Sequence, residues 1–188
     1  MKTDEGSFLS HARSELGNMD YQLNPSSQKV QEYLRSVGVE ARVTEIPATT
    51  RTAKEAAQTI GCPVAQIAKS IVFRTAQSGR PVLVIASGAN RVNERRMAEL
   101  IGEQIEKATP EFVRETTGFV IGGVPPVGHS NPVETWIDRD LLQFDIIWLP
   151  PGRPPPCFRL SQTNCRQSRQ ATLNRSPEIR GRDFLAAA

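Results

Sequence analysis

Lys69 stands near the start of an apolar run, Ile67-Ala-Lys-Ser-Ile-Val-Phe73. An ammonium in such a run must either reach solvent at the strand end or point into a polar pocket, because an unpaired buried charge is very costly. The first alternative makes Lys69 an ordinary snorkelling lysine. The second makes it a donor aimed at a carbonyl, ester or phosphate oxygen. A second group of residues lies in Gly122-Gly-Val-Pro-Pro-Val-Gly-His129. Its glycines permit positive φ or close backbone approach, and its two prolines fix the chain path. Such a loop either presents backbone N–H groups to an oxyanion and walls a small pocket, or is simply a rigid turn between strands.

Other chemistries are poorly supplied. The chain has two histidines and three scattered cysteines, Cys62, Cys157 and Cys165. No CxxC pair exists, so a zinc site is not expected, and neither is a cofactor. His129 has Asp138 and Asp145 downstream, but no GxSxG elbow supplies a serine nucleophile. The GxGxxG and GxxxxGK[ST] phosphate loops are also missing. Asp138 and Asp140 read as the end of a strand and a turn. Arg91, Arg95 and Arg96 surround a helix start, as a solvated face or a phosphate contact. Cys62, before Pro63, reads as buried and inert.

These residues need elements to hold them. Ser26 and Ser27 precede QKVQEYLRSVG, where Val30, Tyr33, Leu34 and Val37 recur at helical spacing, so a serine-capped helix is expected. VEARVTEI (39–46) reads as a strand. Thr52 with Glu55 has capping-box spacing and opens a helix over 52–60 with a narrow alanine stripe. KSIVFRT (69–75) and PVLVIAS (81–87), around the turn AQSGR, read as a hairpin. Asn93 caps a helix ERRMAELIG, and Thr109-Pro110-Glu111 opens another that stops at Gly118. WID and DIIWL read as strands. Residues 150–157, PPGRPPPC, exclude a helix interior or a central strand.

Length and charge set the frame. The 188 residues, 38% hydrophobic and 23% charged, suit one domain that needs no disulfide or metal to fold. No apolar stretch is long enough to span a membrane, and the first residues lack the apolar core of a secretory signal. A reduced, cytoplasmic setting is expected. Of the net +3, residues 1–158 contribute −1, with 17 Lys+Arg against 18 Asp+Glu, and residues 159–188 contribute +4. The basicity therefore belongs to the tail. The expected organisation is a loose extension over 1–24, a folded domain over 25–160, and a poorly ordered or weakly docked basic tail over 161–188.

By the lysine strand and the glycine–proline loop together, the chain resembles the YbaK/prolyl-tRNA deacylase-like family. The pieces come in family order: TAKEAAQTIG, IAKSIVF with Lys69, PVLVIASGANRVN, RRMAELIG, EKATPEFVRETTGFVIGGVPPVGH, TWIDRDLL and DIIWL. Resemblance covers about residues 26–149. It implies an α/β fold of α+β type, a mixed, barrel-like sheet surrounded by helices. It implies hydrolysis of the ester joining a wrong amino acid to tRNA, and the apolar, proline-walled loop favours a small side chain such as Ala, Ser, Cys or Thr. The aminoacyl-adenosine 3′ end is then the substrate, with a synthetase as a candidate protein partner. Lys69 stands at the family's functional lysine. Gly122-x-x-x-Pro126 stands at its GxxxP loop, which puts Ser70, Gly122, Gly123, Pro126, Gly128 and His129 in the substrate-binding wall. An aminoacyl ester is already activated, so water, or a substrate hydroxyl or thiol, can attack it without a triad or a metal. The chain departs from the family after residue 149. There WLPPGRPPPCFRL keeps Gly152 and an FRL echo, and no helical period follows. Two functions of different class therefore stay open: a trans-editing deacylase, and a non-catalytic module that binds tRNA ends or a protein.

Overall fold

The hairpin is the centre of the molecule. In the computed structural model, which describes residues 23–39, 43–45, 52–149, 156–161 and 178–179, strands β2 (Ala68–Thr75) and β3 (Pro81–Ser87) pair antiparallel from Ala68↔Ser87 to Arg74↔Pro81. Alternation sorts their side chains. Ala68, Val72, Leu83 and Ile85 enter one core cluster, while Phe73, Val82, Val84 and Ala86 enter another. β3 is buried from Val82 to Ser87, as a strand covered on both faces must be.

Two further strands extend this sheet on either side. β4 (Ile105–Lys107) pairs antiparallel with β2, and β5 (Glu134–Asp138) pairs parallel with β3. Glu178–Ile179, named β8 below, adds in parallel beside β5, giving the order β4-β2-β3-β5-β8. A second sheet has the order β1 (Val43–Glu45), β7 (Pro156–Ser161), β6 (Ile146–Leu149), all antiparallel. The sheets meet where Ile67 bridges Trp148 in parallel. The result is the mixed, barrel-like arrangement with helices around it.

Helix α1 (Pro25–Ser36) buries Val30 and Leu34 fully. Its cap is Asn24, whose side chain accepts from Ser27 N at 3.1 Å, with Pro25 at the first helical position. The expected serine cap is thereby corrected: Ser26 and Ser27 lie inside the first turn, where proline's missing N–H costs nothing. Gln31 Oε1 accepts from Val43 N at 2.8 Å and ties α1 to β1. Helix α2 (Ala53–Ile60) carries the expected Thr52–Glu55 capping box and packs Ala56 and Ala57 against Ile67. α3 (Glu94–Ile101) is capped by Asn93 and buries Met97 into the second cluster. α4 (Pro110–Thr117) is capped by Thr109 and buries Val113 in the first.

One expectation is overturned. Pro156 and Cys157 open β7, the middle strand of the second sheet, although PPGRPPPC was expected to exclude a central strand. Pro156 is the first residue of β7, where a missing N–H interrupts no ladder. Of the extension expected over 1–24, residues 1–22 lie outside the described residues, while Asn24 is held by Glu45 and caps α1. The tail beyond Ser161, except Glu178–Ile179, also lies outside the described residues.

Candidate active site

Lys69 is the second residue of β2, opposite Ala86, at the end of the sheet where β5 also stops. Its side chain is half-buried. Nζ donates to the Asn90 carbonyl at 2.5 Å. Among the described residues one of its three N–H donors is thus engaged, which leaves two for a ligand. Burial pulls the Lys69 pKa below the usual lysine range. Arg91 pulls the same way, and Asp138 opposes them.

The carbonyl that meets Lys69 is itself fixed. The Asn90 amide donates to Asp138 Oδ2 and to Asp140 Oδ2, both at 2.8 Å. Asp138, fully buried at the end of β5, also accepts from Ser87 N at 2.9 Å and from Asp140 N at 3.0 Å. Gly88 N donates to Ile67 O at 2.6 Å. Sequence reasoning took Asp138 and Asp140 as strand-end markers and passed over Asn90. The available signal was an amide-bearing residue just after a strand that ends in Ser-Gly.

The glycine–proline loop is clamped from two sides. Ser130 N donates to Thr117 O at 3.0 Å, and the Asn131 amide reaches the Thr116 carbonyl at 3.2 Å, so its outgoing end is tied to α4. Lys29 of α1 donates to Ser130 Oγ at 3.3 Å and stands 4.7 Å from the Phe119 ring centroid. Gly122 and Gly128 hold positive φ, 82° and 76°, the region the sequence reserved for glycine. Gly123 and Pro125 are buried and Pro126 half-buried, while Val124 and Val127 join Ala68 and Val72 in the first core cluster.

Ser70 follows Lys69 and pairs with Ile85, so alternation turns it to the same face as Val72 and that cluster. Its Oγ is buried with no hydrogen-bond partner among the described residues. Lys69, by the same alternation, projects with Ala86 to the other face, at the sheet's rim. The polar contacts of Lys69 run to the Asn90 turn; those of the loop run to α1, to α4 and within itself.

A family model described as the aminoacyl-tRNA editing domain matches residues 47–167. The chain belongs to this editing-domain family. A crystal structure of a protein named as a candidate trans-editing enzyme for prolyl-tRNA synthetase superposes with a TM-score of 0.78 and 40% identity. The match covers 88% of this chain and all of that one. Protein YwhH of Bacillus subtilis is 30% identical over 123 residues, 65% of this chain and 78% of that protein. A proline–tRNA ligase of Limosilactobacillus fermentum is 31% identical over 112 residues, 57% of this chain. The match spans only 20% of that ligase's length.

The editing domain's one described histidine is set up by its loop. His129 Nε2 lies 2.7 Å from the Pro125 carbonyl, which can only accept, so Nε2 carries the proton and Nδ1 is the open acceptor of the neutral ring. Burial pulls its pKa below the ordinary value of about 6.5; the Pro125 bond opposes this, and Lys29 adds to it. The unfolded chain therefore takes up this proton before the folded one as pH falls. The stability contribution is complete above about pH 6.5 and declines as pH drops towards the lowered folded value. Melting temperature at pH 7.5, 6.5 and 5.5 checks this. His129→Gln, which keeps a donor for Pro125, is expected to flatten the acid side of that curve. A variant as acid-sensitive as the parent rules the effect out.

Among the described residues no group of three or more His, Cys, Asp or Glu is arranged to hold a metal, and no helix is long and apolar enough to cross a membrane. Cys62 is half-buried beside α2, and burial pushes its thiol pKa up, away from a reactive thiolate.

Proposed function

We propose that this editing domain is a trans-acting deacylase that hydrolyses the ester of tRNA mischarged with a small amino acid. The observation that carries the reading is Lys69: a cation held at the sheet end by one fixed carbonyl, with two N–H donors uncommitted among the described residues. Water adds to the ester carbonyl carbon, and the oxygen gains negative charge. Lys69 donors stabilise that charge. Collapse breaks the bond to the ribose oxygen, which takes a proton, and free amino acid and tRNA leave. A preorganised donor of this kind is worth about 3 kcal/mol in related acyl chemistry.

One feature supports a small side chain. The loop offers buried Pro125 and half-buried Pro126 as a stiff wall, and its valines are already spent on the core. The 3′ aminoacyl-adenosine is then the group bound, and a synthetase that makes such errors is the natural protein partner. Release of amino acid from a panel of tRNAs carrying Ala, Ser, Cys, Thr or a large residue tests the reading. Selective release of a small residue is expected. Binding of charged tRNA with no release from any member would instead favour the non-catalytic module.

A further inference from the structure

We propose that Asn90 and Asp138 are positioning residues for Lys69: Asp138 fixes the Asn90 turn, and that turn fixes the ammonium. The proposal rests on the reading of Lys69 as the group that meets the ester.

The geometry runs through one turn. Asn90 N donates to Ser87 O at 3.0 Å, closing a turn just past β3. The side chain of Asn90 is held by two carboxylates, Asp138 and Asp140, at 2.8 Å each. Its carbonyl is left to receive Lys69. Asp138 is fully buried, yet among the described residues the donors that reach it are two backbone N–H groups and one neutral amide. Placing a buried carboxylate without a paired cation is expensive. As a turn marker at the end of β5 it needs none of that burial. Its charge instead favours the protonated amine of Lys69, against burial and against Arg91. Lys69 thus faces Arg91 and Asp138, with Asp140 one hydrogen bond further out through Asn90. Lysine carries four rotatable bonds, so an ammonium without this anchor samples many positions. Anchoring it prepays that entropy before the ester arrives.

Asn90→Ala keeps the accepting carbonyl but frees the turn. Asp138→Asn keeps the shape but removes the charge. The deciding measurement is an NMR titration of the Lys69 side chain, assigned by its absence in Lys69→Met, since a merely structural role for the network leaves it unmoved. In Asp138→Asn the titration is expected to move to lower pH, and in Asn90→Ala the resonance is expected to shift or broaden. Deacylation by the Asn90→Ala protein is expected to lose about fivefold or more in kcat, with KM within about twofold. Lys69 titrating as in the parent in both variants overturns the proposal, whatever happens to turnover. Should Asp138→Asn not fold, Asn90→Ala alone decides. A parent inert on every mischarged tRNA removes the deacylase reading, while the titration still decides the positioning.

Discussion

Lys69→Met is expected to cut deacylation at least tenfold, about 1.4 kcal/mol in the transition state, while the melting temperature holds or rises. Methionine matches the length and apolar stem of lysine, so the packing along β2 survives. What disappears is the ammonium and its bond to the Asn90 carbonyl. That carbonyl belongs to a half-buried residue and can turn to water. The stability side follows from linkage. Burial lowers the folded pKa of Lys69 below its unfolded value. At neutral pH the folded chain therefore pays to keep the amine protonated, and the unfolded chain does not. The penalty is full below the lowered folded value and fades as pH rises through the window up to the unfolded lysine value. Removing the amine removes the penalty at pH 7. Single-turnover deacylation beside a thermal melt measures both halves. A variant that clears the parent's substrate at the parent's rate removes Lys69 from the chemistry. One that melts far below it makes the lysine structural.

Much of the frame was legible because it is local. The hairpin showed as two apolar runs about a turn, and its register follows from that turn. The Thr52–Glu55 box was readable since both halves of the cap lie within three residues. The α1 cap was misplaced by two or three residues because Asn24, Ser26 and Ser27 are all competent caps, and Pro25 at the first helical position decides among them. β4 was invisible: Ile105-Glu-Lys107 has one half-buried side chain, and it becomes a strand only by lying along β2. β7 was hidden by the prolines before it, since the reading of 150–157 as a block did not separate a strand's first residue from its interior.

The site divides the same way. Lys69 stood out because a cation in an apolar strand breaks the local pattern. Gly122 and Gly128 stood out because only backbone freedom explains two glycines around fixed prolines, and both do hold positive φ. The partners of Lys69 did not stand out. Asn90 and Asp138 are 48 residues apart and touch only because β3 and β5 run parallel. Each alone is an ordinary turn or strand-end residue. The partner of the lysine is a main-chain carbonyl, which no side-chain pattern can announce.

Gly88→Val is expected to destabilise the fold by about 2–4 kcal/mol and to lower turnover with it. Gly88 is the first residue inside the turn closed from Asn90 N to Ser87 O, and its φ is not positive, so the constraint is space. A Cβ there would overlap the Val64 carbonyl oxygen, with Ile67 O at 3.0 Å and Val64 Cγ1 at 3.1 Å. Two of these atoms are backbone and cannot swing aside. They belong to the 3₁₀ turn Val64–Gln66 and to Ile67, the residue that bridges the two sheets. Relief therefore means pushing that turn from the sheet or pulling the end of β3 outward. Either loosens the 2.6 Å bond from Gly88 N to Ile67 O and shifts Asn90, two residues on. For a chain of this size each kcal/mol lowers the melting temperature by about 2–4 °C, so a fall of about 4–16 °C is expected. Gly88→Ala has the Cβ clash without the branch and should fall between parent and Val. Deacylation measured well below each variant's melt separates the two effects: loss beyond the unfolded fraction reports the displaced Asn90 carbonyl. A valine variant that melts with the parent would show that the turn yields easily and that Lys69 is not held through it.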